Sequence, residues 1–172
     1  MLTNSKNSGF TIIEAMVVLA IFGVLASLTA PAMSDFLDEV QATQNTNDLL
    51  ASLLLARSEA VTRNSIVSMC MINPASPNIC NTSNSWQDGW IAFEDLDGDG
   101  VRDVGEEIID THTSMDDTSV VVTANFDEFL RYRPSGAITS GGSFSICVGG
   151  SVAKSVVINA TGRPRVADAT CP

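Results

Sequence analysis

Residues 9–33 read GFTIIEAMVVLAIFGVLASLTAPAM, and this stretch decides the architecture. Residues 15–33 are nineteen consecutive uncharged positions, close to the roughly 20 a helix needs to cross about 30 Å of hydrocarbon. One carboxylate, Glu14, stands at the head of the run, where an ionisable group is costly and so marks function. The segment before it is short and polar, with Lys6 as its one cation. The expectation is a long N-terminal helix whose hydrophobic half is transmembrane. Pro31 falls inside it, and a kink is expected there, because proline removes a hydrogen bond and crowds the preceding turn.

A secretory signal carries its cleavage site after the apolar region. Here the candidate junction, between Gly9 and Phe10, precedes it. Cutting there retains the helix, exposes Phe10 as the new amino terminus and makes Glu14 the fifth residue. This arrangement resembles the class III signal of type IV pilins and type II secretion pseudopilins. The resemblance implies that a prepilin peptidase removes residues 1–9 and N-methylates Phe10. It also implies that Glu14 pairs with the terminal amine of a neighbouring subunit during assembly. The partners it implies are other minor and major pilins, met through the N-terminal helix, and an inner-membrane assembly platform. The expected location is the bacterial inner membrane, single-pass with a periplasmic globular domain, and then the pilus or fimbrium.

Residues 34–172 number 139, enough for one modest core. The net charge of −11 argues against a general nucleic-acid binder, but the charge is uneven. Residues 34–130 carry eighteen acids against three arginines, whereas residues 131–172 carry Arg131, Arg133, Lys154, Arg163 and Arg165 against Asp168 alone. A basic end on an acidic body can orient a partner or steer an anion locally. Cys70, Cys80, Cys147 and Cys171 form an even set after the apolar segment and point to disulfides in an oxidising compartment. Of three possible pairings, Cys70–Cys80 and Cys147–Cys171 are favoured because each closes a local loop. Zinc is disfavoured: no Cys pair has two-residue spacing, and His112 is the only histidine.

Beyond Pro31, apolar residues recur at helical spacing at Phe36, Val40, Leu50, Leu54 and Val61, with Leu37, Leu53 and Ala60 beside them. Polar residues dominate 41–48 and read as a neck. The helix is expected to end near Arg63 and Asn64, its second half, 34–64, amphipathic and packed on its own domain. Short β-rich runs follow at 66–72, 90–94, 107–111, 120–122, 129–133, 144–148, 155–158 and 163–166, with 73–85 as loop. Such spacing implies antiparallel sheets with the single helix as the other layer, an α+β fold.

Three further stretches carry a second resemblance. They are Ala56-Arg57-Ser58-Glu59-Ala60-Val61, Gly89-Trp90-Ile91-Ala92-Phe93, and Asn159-Ala160-Thr161-Gly162-Arg163-Pro164-Arg165. Their order is similar to that in the GspH/FimT group of minor pilins and pseudopilins. The resemblance implies a type IV pilin-like fold, with 1–9 as leader peptide, 10–33 as transmembrane and assembly helix, 34–64 as its continuation and 65–172 as the β-rich domain. It also implies a place at pilus or pseudopilus tips and a part in initiating assembly.

Two constellations could carry chemistry. Asp95, Asp97, Asp99, Asp103 and Glu106, with Gly100 at the sharp turn, match the spacing of a calcium loop of hard oxygen ligands. The flanks read as strands, so an acidic hairpin kept soluble by its charge is the competing picture. At the other end, Arg163 and Arg165 are separated by Pro164, which puts both guanidinium groups on one side of an extended segment. Arg131 and Arg133 repeat that spacing and, with Lys154, widen the candidate patch. Arginine engages phosphate bidentately, and in FimT-type proteins a C-terminal Gly-Arg-x-Arg motif is associated with DNA uptake. The competing picture is that these arginines pair with the acidic body. No enzyme emerges: His112 has no nucleophile signature beside it, and no serine elbow is present. The reading is a minor type IV pilin acting in pilus initiation and assembly. The alternative is a GspH-type pseudopilin of type II secretion.

Overall fold

The structure is a computed structural model that describes residues 10–115, 118–126, 128–150 and 152–171, leaving aside the side chains of 28–32 and 152. The chain forms two compact units, Met1–Leu37 and Asp38–Pro172. One helix, α1 (Ile12–Arg63), supplies most of the described part of the first and opens the second. Thr11 starts it. Its hydroxyl accepts the Glu14 amide proton at 3.3 Å, satisfying one otherwise orphaned donor, and its carbonyl accepts the first intrahelical bond, from Ala15. Asn64 ends it with a left-handed φ of 53°, and the Ser65 amide then reaches back to the Ala60 carbonyl. The backbone stays helical through position 31, so proline does not interrupt α1.

The first unit corrects one expectation. No helix among the described residues is long and apolar enough to cross a membrane. The transmembrane half expected for residues 10–33, and the single-pass inner-membrane placement built on it, therefore do not stand. Farther along α1, Asp35, Asp38 and Glu39 break the apolar character. Within this unit Ile12, Met16, Leu19 and Phe22 are exposed.

Among the described residues, the second unit adds nine strands to its part of α1: β1 (Val67–Asn73), β2 (Ser76–Cys80), β3 (Gly89–Glu94), β4 (Ile108–Thr113), β5 (Ser119–Ala124), β6 (Phe129–Tyr132), β7 (Gly142–Val148), β8 (Val152–Ile158) and β9 (Pro164–Asp168). The first sheet runs β2-β1-β3-β4, with β6 also paired to β1. The second runs β5-β7-β8-β9. Every pairing between these strands is antiparallel. This is the α+β architecture of a helix on antiparallel sheets.

The helix meets the sheets through small residues. Ala42, Leu49, Leu53, Ala56 and Ala60 are fully buried, in one core with Trp90, Tyr132, Phe144, Ile146 and Val156. The stripe read from the sequence is displaced round the helix: Leu54 and Val61 are about half exposed (49% and 50%). Sequence periodicity weights large apolar residues, whereas the sheets approach closely only where alanines let them. The expected polar neck is also partly core. Asn45 is buried and its amide donates to the Ser119 hydroxyl at 2.9 Å, and the Thr46 hydroxyl donates to the Ala42 carbonyl. The span 73–85, read as loop, contains β2. It is an exposed edge strand, where Pro77 costs no ladder bond, and the Cys70–Cys80 disulfide ties its end to β1. Cys70, Ile72, Ile91 and Phe93 form a second, smaller cluster, so β1 and β3 bury both faces and do not alternate.

Candidate functional site

The acidic span 95–106 is a tightly wired loop between β3 and β4. Asp95 is buried. Its carboxylate accepts from the Gly98 and Gly100 amides at 2.7 and 3.1 Å and from the Ser68 hydroxyl, and lies 3.5 Å from the Arg131 guanidinium. Asp97 and Asp99 accept the amides of Asp99 and Val101, each two residues on. Glu106, also buried, accepts from the Leu96 and Asp103 amides at 2.7 and 2.8 Å. Arg102 spans the loop base, donating to the Asn78 and Glu106 carbonyls. Gly100 seats the loop, since a Cβ there would stand 2.8 Å from the Phe129 ring. Carboxylate oxygens of Asp95, Asp97 and Asp99 converge within 4.8 Å of one another, a set that could hold a metal ion. Asp103 and Glu106, expected as further ligands, are not part of this converging set.

The expected basic patch is divided. Arg131 lies on β6 in the first sheet, beside Asp95 and over the Phe129 ring at 4.9 Å. Lys154, on β8, pairs with Glu39 of α1 at 2.7 Å and approaches Asp168 at 4.0 Å. Its ammonium is held above the usual lysine value, chiefly by the hydrogen bond to Glu39. Arg133, Arg163 and Arg165 are exposed and make no ion pair among the described residues. The turn before β9 is built by Asn159: its carbonyl accepts the Gly162 amide and its side chain accepts the Arg163 amide.

The cysteines are joined as Cys70–Cys80 and Cys147–Cys171, with Cα separations of 5.5 and 5.7 Å. His112 stacks on Trp90 across the β3–β4 pair, ring centroids 4.2 Å apart, a packing role. Phe10 is exposed at the first described position, and Glu14 lies in the exposed first turn of α1. Gly9 lies outside the described residues.

Two features escaped the sequence. Arg63, the last residue of α1, gathers Glu59, Glu107 and Glu94 at 2.6, 2.7 and 3.4 Å. This holds the guanidinium above its usual value, and the bond to Arg63 holds the Glu107 carboxyl below its own. Arg57 donates to the Gly136 carbonyl at 3.0 Å, and that oxygen sits 2.0 Å from where a Cβ on Gly162 would be. Helix, Gly136 turn and Gly162 turn thus meet at one junction. The quoted motifs Ala56-Arg57 and Thr161-Gly162 lie on either side of it, but only the folded chain brings them together.

Comparison with known proteins gives a consistent frame. Residues 45–162 match the family model described as type II transport protein GspH, and residues 4–30 match the prokaryotic N-terminal methylation motif. The chain is 44% identical over 47 residues to the type IV major alpha-pilin of Moraxella bovis, covering 27% of this chain and 30% of that protein. It is 32% identical over 81 residues to a fimbrial protein of Pseudomonas aeruginosa, covering 47% and 53%. The chain thus matches about a third to a half of the length of these relatives. Among solved structures, the type IV minor pilin FimU of P. aeruginosa superposes with a TM-score of 0.58 at 19% identity, over 79% of this chain and 93% of that one. The minor pseudopilin EpsH from the Type 2 Secretion System of Vibrio cholerae superposes with a TM-score of 0.53 at 13% identity, over 74% and 97%. At these identities the likeness is one of fold.

Proposed function

The chain belongs to the family of the type II transport protein GspH, structural and non-catalytic, and we propose that it is a minor pilin subunit acting in the initiation and assembly of a type IV pilus. Residues 1–9 are a leader that prepilin peptidase removes between Gly9 and Phe10. Residues 10–33 form the assembly helix, 34–64 its amphipathic continuation, and 65–172 the domain it delivers to the filament, at its tip. Apolar helices of neighbouring subunits, and the assembly machinery, are its partners. The observation that carries this reading is Glu14. It is the one acid in the first turn of α1, among exposed Ile12, Ile13 and Met16. A carboxylate there suits the helix N-terminus and can meet a neighbour's terminal amine while the apolar side chains bury one another. The test is incorporation into sheared filaments. Glu14→Ala is expected to be lost from the filament fraction while Asp48→Ala is retained, and equal recovery of both would sink the assignment. Deletion separates the systems: loss of twitching supports the pilus, loss of protein export the GspH-type pseudopilin of type II secretion.

Two finer roles attach to the domain. Arg163 and Arg165, exposed and unpaired, are the residues for weak, salt-sensitive contact with DNA phosphates. Arg131 and Lys154 contribute little, because each already faces a carboxylate. Arg163→Gln/Arg165→Gln should abolish a low-salt mobility shift, and an unchanged shift removes the role. The trio Asp95, Asp97 and Asp99 is the site for calcium, whose charge relieves repulsion between carboxylates gathered within 4.8 Å. Millimolar calcium should raise the melting temperature of the wild type and leave Asp97→Asn/Asp99→Asn unmoved. No shift, with no heat of binding by calorimetry, dismisses it.

A further inference from the structure

Two surface turns far apart in the chain are built alike and touch each other. The first, Arg133-Pro134-Ser135-Gly136, is closed by the Gly136 amide donating to the Arg133 carbonyl at 2.8 Å. The second, Asn159-Ala160-Thr161-Gly162, is closed by the Gly162 amide donating to the Asn159 carbonyl at 2.8 Å. Exposed Arg133 opens the first turn and exposed Arg163 follows the second. The Ile138 amide joins the two segments by donating to the Ala160 carbonyl at 3.2 Å. The Gly136 carbonyl oxygen then reaches within 2.0 Å of where a Cβ on Gly162 would be.

That same oxygen accepts the Arg57 Nε–H at 3.0 Å from α1. A Cβ on Gly136 would stand 3.2 Å from the Arg57 Nη2, so the half-buried guanidinium also packs on the turn. Three of the chain's nine basic residues therefore belong to one junction. The ion pairs among the described residues go instead to Arg63, Arg131 and Lys154. Cations gathered without a carboxylate leave the junction complementary to an anion. We propose that Arg57 is a positioning residue: it fixes the Gly136 turn against the Gly162 turn, so that Arg133 and Arg163 together take one phosphate of a DNA backbone. This role rests on the reading of Arg163 as a DNA contact, and adds Arg133 as a second contact and Arg57 as the group that holds both in place. Two arginines on locked turns lose less freedom on binding than two on mobile loops, and each offers a planar fork that matches phosphate oxygens.

The test uses the full chain in detergent solution with a short DNA duplex, followed by mobility shift across a series of low salt concentrations. Arg133→Gln should weaken binding about fivefold and lower the slope of log affinity against log salt by about one, as loss of one phosphate contact does. Lys154→Gln removes an equal charge elsewhere and should change binding by less than about twofold. Arg57→Gln and Arg57→Lys should each weaken it about threefold, because lysine keeps the charge but lacks the fork that holds Gly136. Without DNA, the Ile138 amide should exchange about tenfold faster in both Arg57 variants, relative to the Ile146 amide on β7. No shift with the wild type removes the DNA reading and this site with it. Wild-type binding that survives Arg133→Gln or Arg57→Gln unchanged overturns this site alone. So does full binding by Arg57→Lys, or an Ile138 exchange ratio that stays at the wild-type value.

Discussion

Tyr132 shows how a single side chain sets a measurable property. Its ring is fully buried and its hydroxyl has no hydrogen-bond partner among the described groups. Burial pushes the phenol above its ordinary value of 10.0, with the Arg57 charge partly opposing. The folded state therefore keeps the proton after the unfolded chain has lost it. Stability is unaffected below about pH 10 and falls as pH rises from there toward the raised folded value. Tyr132→Phe should remove that alkaline decline in thermal melts. At neutral pH it should be neutral or stabilising by about 1 kcal/mol, because it deletes an unpaired buried hydroxyl. Gly162 makes the opposite case. Its φ of +75° and the oxygen 2.0 Å from a would-be Cβ leave no room for alanine. Gly105 also has positive φ, but open space around it. Gly105→Ala should cost about 1–2 kcal/mol from backbone strain alone, and Gly162→Ala clearly more, compared by chemical denaturation.

Among the elements, α1 inverts the usual reading of size. Leu53→Ala should cost about 2–5 kcal/mol by opening a cavity. Ala56→Leu should cost about 1–3 kcal/mol by forcing helix and sheets apart. Leu54→Ala, on the half-exposed side, should stay within about 0.5 kcal/mol in the purified protein. Denaturant midpoints of the three variants check the order. The periodicity that gave the helix was legible in the sequence, and so was its end at Asn64, because both are local. Which stripe faces inward was not, because it depends on the sheets opposite. Strand β2 escaped for a similar reason: its pairing comes from β1 and a disulfide, against the local signal of Pro and Asn. The ion pair of Glu39 with Lys154 links α1 to β8 across the unit. Lys154 is held above its ordinary 10.5, so the pair contributes fully below that pH and is lost as pH rises through the raised value. Glu39→Gln should bring the Lys154 titration back toward the ordinary value by NMR.

For the whole molecule, the two disulfides close loops of 10 and 24 residues. Chain entropy then makes loss of Cys147–Cys171 the costlier, by about 0.5–1 kcal/mol over loss of Cys70–Cys80, within a typical 2–4 kcal/mol each. Melting of the paired Cys→Ala variants measures this. By itself the sequence determined the helix with its lone Glu14, the antiparallel β-rich remainder and the cysteine set. Each rests on near neighbours in the chain: capping, periodicity, and turn residues. One sequence reading failed: no helix among the described residues is long and apolar enough to cross a membrane. Among the basic residues, Arg131 and Lys154 face carboxylates on other elements. The tertiary structure alone decided which arginines remain free, that the acidic span is a locked loop, and that Arg57, Gly136 and Gly162 share one junction. Charge pairing and burial join residues distant in the chain, and no local pattern records those distances.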